Sequence, residues 1–138
     1  MSHIKYDADI NFLPTISGTT TAGVGTYTTQ AGISHLVGNL IFVSIVLSWI
    51  AHTATGNMIV TNLPATVSNI ASYSPVASVF IQSILFPATG GYVTGKFKTN
   101  ANEIDLFYCT SNVLKLPIAM SNAGQVHISE FYLTTQVI

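Results

Sequence analysis

The dominant feature of the chain is an alternation of apolar and polar residues between turns that contain glycine or proline. The clearest example is the segment Leu40–His52, which follows the turn dipeptide Gly38-Asn39. Successive side chains of a β-strand point to opposite faces, so residues two apart share a face. The odd positions of this segment are all apolar, and we predict a strand that buries them in the core: Ile41, Val43, Ile45, Leu47 and Trp49.

The even positions of the same strand form a mixed face. Phe42, Val46 and Ile50 alternate there with Ser44 and Ser48. This face is too apolar for ordinary contact with solvent and too polar for a deep interior. We therefore expect a second sheet or a neighbouring subunit to cover it, with Phe42, Val46 and Ile50 as candidate oligomer-interface residues.

Similar segments on both sides of this strand predict an all-β protein. On the N-terminal side we predict strands at residues 10–16, 26–30 and 33–37, with turns at Ala31-Gly32 and Gly38-Asn39. On the C-terminal side we predict strands at residues 58–63, 76–86, 92–99, 103–110, 114–120 and 126–137. No stripe with the 3.6-residue period of a helix lies between the turns. About eight to ten strands with this spacing predict a jelly-roll-like antiparallel β-sandwich.

The domain organisation is simple. No internal repeat or change of composition divides the chain, so we predict one β-sandwich domain at residues 10–138. Residues 1–9 are predicted to be a leader or linker.

Charged residues make up only 7% of the chain, which contains no Arg, and none lies between Asp9 and Lys96. Four lysines cannot supply the basic surface that nucleic-acid binding requires. A hydrophobic content of 49% excludes intrinsic disorder. The most apolar run, residues 40–51, is shorter than the roughly 20 residues of a membrane-spanning helix. We therefore expect neither nucleic acid nor membrane insertion.

Neutral polar residues replace the missing charges. Ser, Thr, Asn and Gln together supply 43 of the 138 residues, and Thr alone supplies 17. Such side chains are less strongly hydrated than charged ones, so burying them between subunits is less costly. The composition is typical of a β-protein that covers much of its surface in an assembly.

The sequence offers little catalytic chemistry. Cys109 is the single cysteine, which excludes an intrachain disulfide and a cysteine-based metal site. The four histidines have no metal-ligand spacing, and the acidic pairs Asp7/Asp9 and Glu103/Asp105 are typical of solvent-facing strands. Nucleophile-elbow and phosphate-binding motifs are absent. We expect no catalytic residue, no metal site, no cofactor and no enzymatic activity.

Three residues near predicted loops are candidate ligand contacts. Tyr73 lies in a Ser- and Asn-rich connection, Tyr92 follows Gly90-Gly91, and His52 ends the long strand. A tyrosine beside Asn and Ser can stack on a sugar and hydrogen-bond to it. The alternatives are that both Tyr rings cap the ends of the core and that His52 is a hydrogen-bonded strand-end residue.

The stretch from Pro14 to Pro64 resembles modules of phage tail fibres, tailspikes and head fibres. In such modules a Tyr-Thr-x-Gln strand leads through a glycine into a strand that ends near a Trp, and a Leu-Pro closes the next strand. This sequence departs from the pattern at Ile33-Ser-His35, where an aromatic residue often follows the glycine. The residues that match are Gly25-Thr-Tyr-Thr-Thr-Gln30, Gly32, Gly38-Asn39, Leu47-Ser-Trp49, His52, Gly56 and Leu63-Pro64.

The resemblance implies a jelly-roll-like β-sandwich that forms a homotrimer in the virion, at the tip of a fibre or on a capsid. The implied partners are other copies of the chain, other virion proteins and a host-surface glycan or protein. The leading hypothesis is therefore a non-enzymatic phage module for host receptor attachment. Two alternatives stay open: a capsid or decoration protein that acts in assembly only, and a free-standing sugar-binding lectin.

Overall fold

A computed structural model describes residues 8–84, 91–110 and 115–135, with side chains from residue 11 onward. These residues form ten β-strands and no helix. The described part of the chain therefore contains no membrane-spanning helix. All paired strands are antiparallel, which confirms the predicted all-β antiparallel class. The strands are β1 (Ala8–Phe12), β2 (Thr15–Gly18), β3 (Gly25–Val37), β4 (Leu40–His52), β5 (Met58–Thr61), β6 (Val76–Gln82), β7 (Tyr92–Phe97), β8 (Ile104–Cys109), β9 (Lys115–Pro117) and β10 (Gly124–Leu133).

The strands form one curled sheet in the order β1-β3-β4-β10-β6-β7-β8-β5-β2, with β9 paired to β8. Strand β6 joins two halves of this sheet. Its residues Ser78 to Gln82 pair with β10, whereas Val76 and Ala77 pair with β7. We call β1, β3, β4, β10 and most of β6 the first half-sheet, and β7, β8, β9, β5 and β2 the second half-sheet.

One hydrophobic core lies between the two half-sheets. The rings of Phe97 on β7 and Tyr132 on β10 meet across it, with their centroids 4.8 Å apart. The second half-sheet contributes alternate residues of β5 and β8 to this core, as a strand with one buried face does. The first half-sheet contributes the odd positions of β4, all of which are at most 2% exposed: Ile41, Val43, Ile45, Leu47 and Trp49.

The predicted turn at Ala31-Gly32 is wrong, because β3 runs without interruption through both residues. Gly32 is the register partner of Phe12 on β1. A Cβ atom at Gly32 would lie only 2.7 Å from the Phe12 ring. The glycine therefore allows an aromatic side chain to lie across the strand, a packing role that turn propensity does not distinguish from chain reversal.

The ends of several strands differ from the predicted bounds. Strand β6 ends at Gln82, and Ser83 has a positive φ of 64°, which breaks the extended backbone at that point. Residues 85 and 86 of the predicted strand lie outside the described residues. Strand β1 begins at Ala8, inside the predicted leader. Some predictions lie outside the described residues: the turn at residues 87–90, most of the leader, the segment 111–114 and the last residues of the predicted C-terminal strand.

Candidate functional site

The outer face of the first half-sheet carries the mixed positions of β4. Phe42, Ser44, Val46 and Ser48 are half-buried, and Ile50 is 61% exposed. They point away from the core because the odd positions of the same strand fill it. The candidate interface residues therefore lie together on one surface.

Strand β10 extends this surface in register with β4. Phe131 lies beside Phe42, and His127 lies beside Val46. The rings of Phe42 and Phe131 are 5.0 Å apart between centroids. Phe131 is nevertheless 55% exposed, so this aromatic pair is only partly covered. An uncovered aromatic pair in the middle of a sheet is typical of a contact surface.

Strands β6 and β3 complete the surface on either side. Phe80 of β6 packs edge-on against His127 with centroids 5.6 Å apart, and is 56% exposed. Ile33 of β3, the register partner of Ser44, is 58% exposed. We call this surface the uncharged face, and its members are Ile33, His35, Phe42, Ser44, Val46, Ser48, Ile50, Phe80, Gln125, His127, Ser129 and Phe131.

Formal charges are nearly absent from this side of the described structure. Asp9, on edge strand β1, is the register partner of His35. Glu130 of β10 uses its carboxylate to accept the backbone N–H of Ser78 at 3.2 Å. The other charged residues of the described part lie on β7, β8, β9 and the loop between β7 and β8: Lys96, Lys98, Glu103, Asp105 and Lys115.

His52 takes part in a cluster that covers the edge of β2. The backbone N–H of Ala54 donates to Nδ1 of His52 at 3.0 Å, so the neutral ring carries its proton on Nε2. Nε2 then donates to the carbonyl oxygen of Ile16 at 2.9 Å. Both ring nitrogens are used within the protein, which favours the strand-end alternative for His52 over ligand contact.

Two side chains of β3 complete the same cluster. The hydroxyl of Tyr27 accepts the backbone N–H of Ile16 at 3.0 Å, and Nε2 of Gln30 donates to the carbonyl of Pro14 at 2.8 Å. Burial raises the pKa of Tyr27, an effect that the Ile16 hydrogen bond partly opposes. We call Tyr27, Gln30 and His52 the edge clamp. Their side chains form hydrogen bonds with backbone groups, at and next to edge strand β2, that have no partner in a neighbouring strand.

The edge clamp gives a structural reason for the sequence pattern that suggested phage fibre modules. Its three members all belong to that pattern, as does Gly25. A Cβ atom at Gly25 would lie 2.7 Å from the His52 ring, so the glycine makes room for the imidazole. From the sequence alone, Tyr27 and Gln30 are residues of a predicted strand, and His52 is a candidate ligand contact or a strand-end residue. The sequence feature that indicates the edge clamp is the combination of Tyr, Gln and His on the two strands of one hairpin.

The candidate ligand residues Tyr73 and Tyr92 do not share a site. Tyr73 is half-buried, and its hydroxyl accepts the backbone N–H of Leu133 at 2.7 Å. It lines the same depression as Phe97, at one end of β7. Tyr92 begins β7 and is 65% exposed. The two ends of this strand are about 17 Å apart.

The described residues contain no group of three His, Cys, Asp or Glu side chains that could hold a metal ion. The thiol of Cys109 is half-buried on β8, between its register partners Tyr92 and Lys115.

No protein-family model and no curated protein matches the sequence. Among solved structures, the fold is similar to the crystal structure of the Dettilon tailspike protein (gp208), with a TM-score of 0.69 and 14% identity. The match covers 91% of this chain and 23% of the tailspike chain, so this chain spans less than a quarter of that protein. At this identity the likeness is one of fold, and at that level it confirms the resemblance to phage tailspike modules.

Proposed function

We propose that the chain is a non-enzymatic structural module of a phage tail fibre or tailspike, with a jelly-roll-like sandwich that forms a homotrimer through the uncharged face. The observation that carries this proposal is the unequal distribution of charge over the two half-sheets. The similarity to a tailspike fold supports a place in the virion.

The chemistry of the uncharged face favours a second copy of this chain as its occupant. Burying an unpaired Lys or carboxylate between subunits is costly, whereas Ser, Thr and Gln are buried at much lower cost when hydrogen-bonded. Solvent-facing strands normally carry charges, as β7 and β8 do here. The uncharged face instead presents Ile33, Phe80 and Phe131, each more than half exposed.

The size of the uncharged face agrees with a specific interface. Strands β3 and β4 are 13 residues long, and four strands lie side by side from β3 to β6. With strand spacings of about 4.8 Å and a rise of about 3.3 Å per residue, strands of 13, 13, 10 and 7 residues give a face of roughly 680 Å². Specific interfaces bury about 600–1,000 Å² on each partner.

The experiment is a measurement of mass in solution by light scattering and sedimentation, with a matched pair of variants. The wild type should have three times the 14.7 kDa chain mass. Val46→Asp places a charge on the uncharged face and should give the monomer. Thr94→Asp places the same charge on β7, in the second half-sheet, and should leave the trimer intact. A monomeric wild type, or equal dissociation in both variants, would exclude this interface.

Host attachment is a second candidate function, favoured by the exposure of Tyr92 at the start of β7. Its ring is available to stack on a host-surface glycan. Binding of the assembled protein on a glycan array, lost in Tyr92→Ala, would support attachment or a lectin role. Absence of binding by an intact trimer would instead favour a capsid or decoration protein that contacts only other virion proteins.

A further inference from the structure

The charges of the second half-sheet surround a depression of about 310 Å³ on its outer face. Three of the four lysines of the chain line it, in a protein without Arg. A second depression shares Lys98, Asp105 and Phe107 with the first, and we call the two together the trough. Its lining includes Tyr73, Lys96, Lys98, Asp105, Phe107 and Lys115.

Local contacts position these charged groups. The ammonium group of Lys115 lies 4.4 Å from the centroid of the Phe107 ring, a cation–π contact. Lys96 is the register partner of Asp105 on the neighbouring strand. Nζ of Lys98 lies 3.8 Å from a carboxylate oxygen of Glu103. The three lysines outnumber the two carboxylates, so the trough has an excess of one positive charge.

We infer that this trough is a binding site for an acid sugar, a polyhydroxylated ligand with one carboxylate. The lysine ammonium groups donate charge-assisted hydrogen bonds to the ligand carboxylate. The carboxylate of Asp105 accepts hydrogen bonds from ligand hydroxyl groups, and it repels a simple anion such as phosphate. A ligand with both an acid group and hydroxyl groups therefore fits the mixed charges better than either a neutral sugar or an inorganic anion.

This site is independent of the proposed assembly. Its residues belong to the second half-sheet and its adjoining loops, whereas the uncharged face belongs to the first. Tyr73, Lys96 and Phe97 place most of it at the other end of β7 from Tyr92, which is not among its lining residues. Lys115 is the lining residue in register with Tyr92, two strands away across Cys109. An experiment can therefore disprove the trimer without disproving the acid-sugar site, and it can disprove the site without disproving the trimer.

The experiment is a chemical-shift titration of the full-length labelled protein with glucuronate, glucose and inorganic phosphate as separate probes. We expect glucuronate to shift the resonances of β7 and β8 and to bind about tenfold more tightly than either other probe. Lys96→Gln and Lys115→Gln should each weaken glucuronate binding by about tenfold. Lys96→Arg keeps the positive charge and should bind glucuronate about as tightly as the wild type does. The amide spectrum of each variant reports whether it is folded.

Asp105→Asn provides the matched test of selectivity, because it removes one charge and keeps the shape of the side chain. It should strengthen phosphate binding and reduce the preference for glucuronate over phosphate. Three results would overturn the inference: glucose binding as tight as glucuronate binding, phosphate binding as tight as glucuronate binding to the wild type, or folded lysine variants with unchanged affinity.

Discussion

At the scale of single residues, Trp49 connects three parts of the molecule. Its ring is 2% exposed, its Nε1–H donates to the carbonyl of Ser121 at 3.0 Å, and it packs edge-on against His52. The side chain thus combines core volume with a hydrogen bond to the segment before β10. Because the whole ring is enclosed, little solvent is available to fill the space that it would leave.

Replacement of Trp49 by Ala should lower the free energy of unfolding by about 3–5 kcal/mol, since it removes apolar contacts and leaves a cavity. Urea unfolding at fixed protein concentration measures this loss. Trp49→Phe keeps an aromatic ring and should lose clearly less. A loss below about 1 kcal/mol for Trp49→Ala would show that the ring does not stabilise the core.

Tyr132 gives the protein a sensitivity to alkaline pH. Burial raises its pKa well above the usual value, and its hydroxyl donates a hydrogen bond to the Ala65 carbonyl. Below pH 10 the phenol is protonated in both the folded and the unfolded state. Above pH 10 the unfolded state loses this proton and the folded state keeps it, so stability falls as pH rises.

Tyr132→Phe should therefore flatten the decline in stability between pH 10 and pH 12, because ionisation at this position no longer stabilises the unfolded state. Below pH 9 the variant should be about 1 kcal/mol less stable, since the hydrogen bond to Ala65 is lost. Thermal unfolding at a series of pH values measures both effects. An unchanged alkaline slope would contradict the role of Tyr132.

At the scale of elements, β2 shows how an edge strand is protected. It pairs with β5 on one side, and the edge clamp satisfies backbone groups on the other side. The clamp side chains come from β3 and β4, so they tie the last strand of the second half-sheet to the first half-sheet. An edge covered in this way is unavailable for pairing with another chain.

Tyr27→Phe should loosen β2 locally, since the backbone N–H of Ile16 loses its acceptor. Hydrogen exchange at Ile16 should become at least several-fold faster, and global stability should fall by about 1 kcal/mol. Tyr92→Phe removes a hydroxyl from an exposed ring and is the matched control. Unchanged exchange at Ile16 in Tyr27→Phe would show that the hydroxyl does not hold the edge.

At the scale of the whole molecule, the two half-sheets differ in what their outer faces offer. The first presents exposed apolar and neutral polar side chains, and the second presents lysines and carboxylates around a trough. One face thus suits a contact between like copies, and the other suits a hydrated, charged ligand. A module with this division can assemble and still expose its charged side.

Assembly through the uncharged face should make thermal stability depend on protein concentration, because self-association stabilises only the folded chain. We expect the Tm of the wild type to rise by a few degrees over a hundredfold increase in concentration. Val46→Asp should abolish this dependence, and Thr94→Asp should retain it. Scanning calorimetry measures the effect, and a Tm independent of concentration in the wild type would argue against assembly.

The sequence by itself determined the all-β class and the inner and outer faces of β4. Both follow from a local rule, because side chains alternate along a strand whatever its neighbours are. The lack of charge from Ile10 to Gly95 was visible in the same way. It indicated a covered surface, although it did not show which strands share that surface.

Only the tertiary structure decided which residues meet. Ala31-Gly32 has the composition of a turn, yet Gly32 lies within β3 because Phe12 packs over it. His52 and Tyr27 act on Ile16, and the lysines of three segments converge around Asp105. These contacts depend on the register of strands far apart in the chain, and the free energy of packing selects that register in ways that local alternation does not encode.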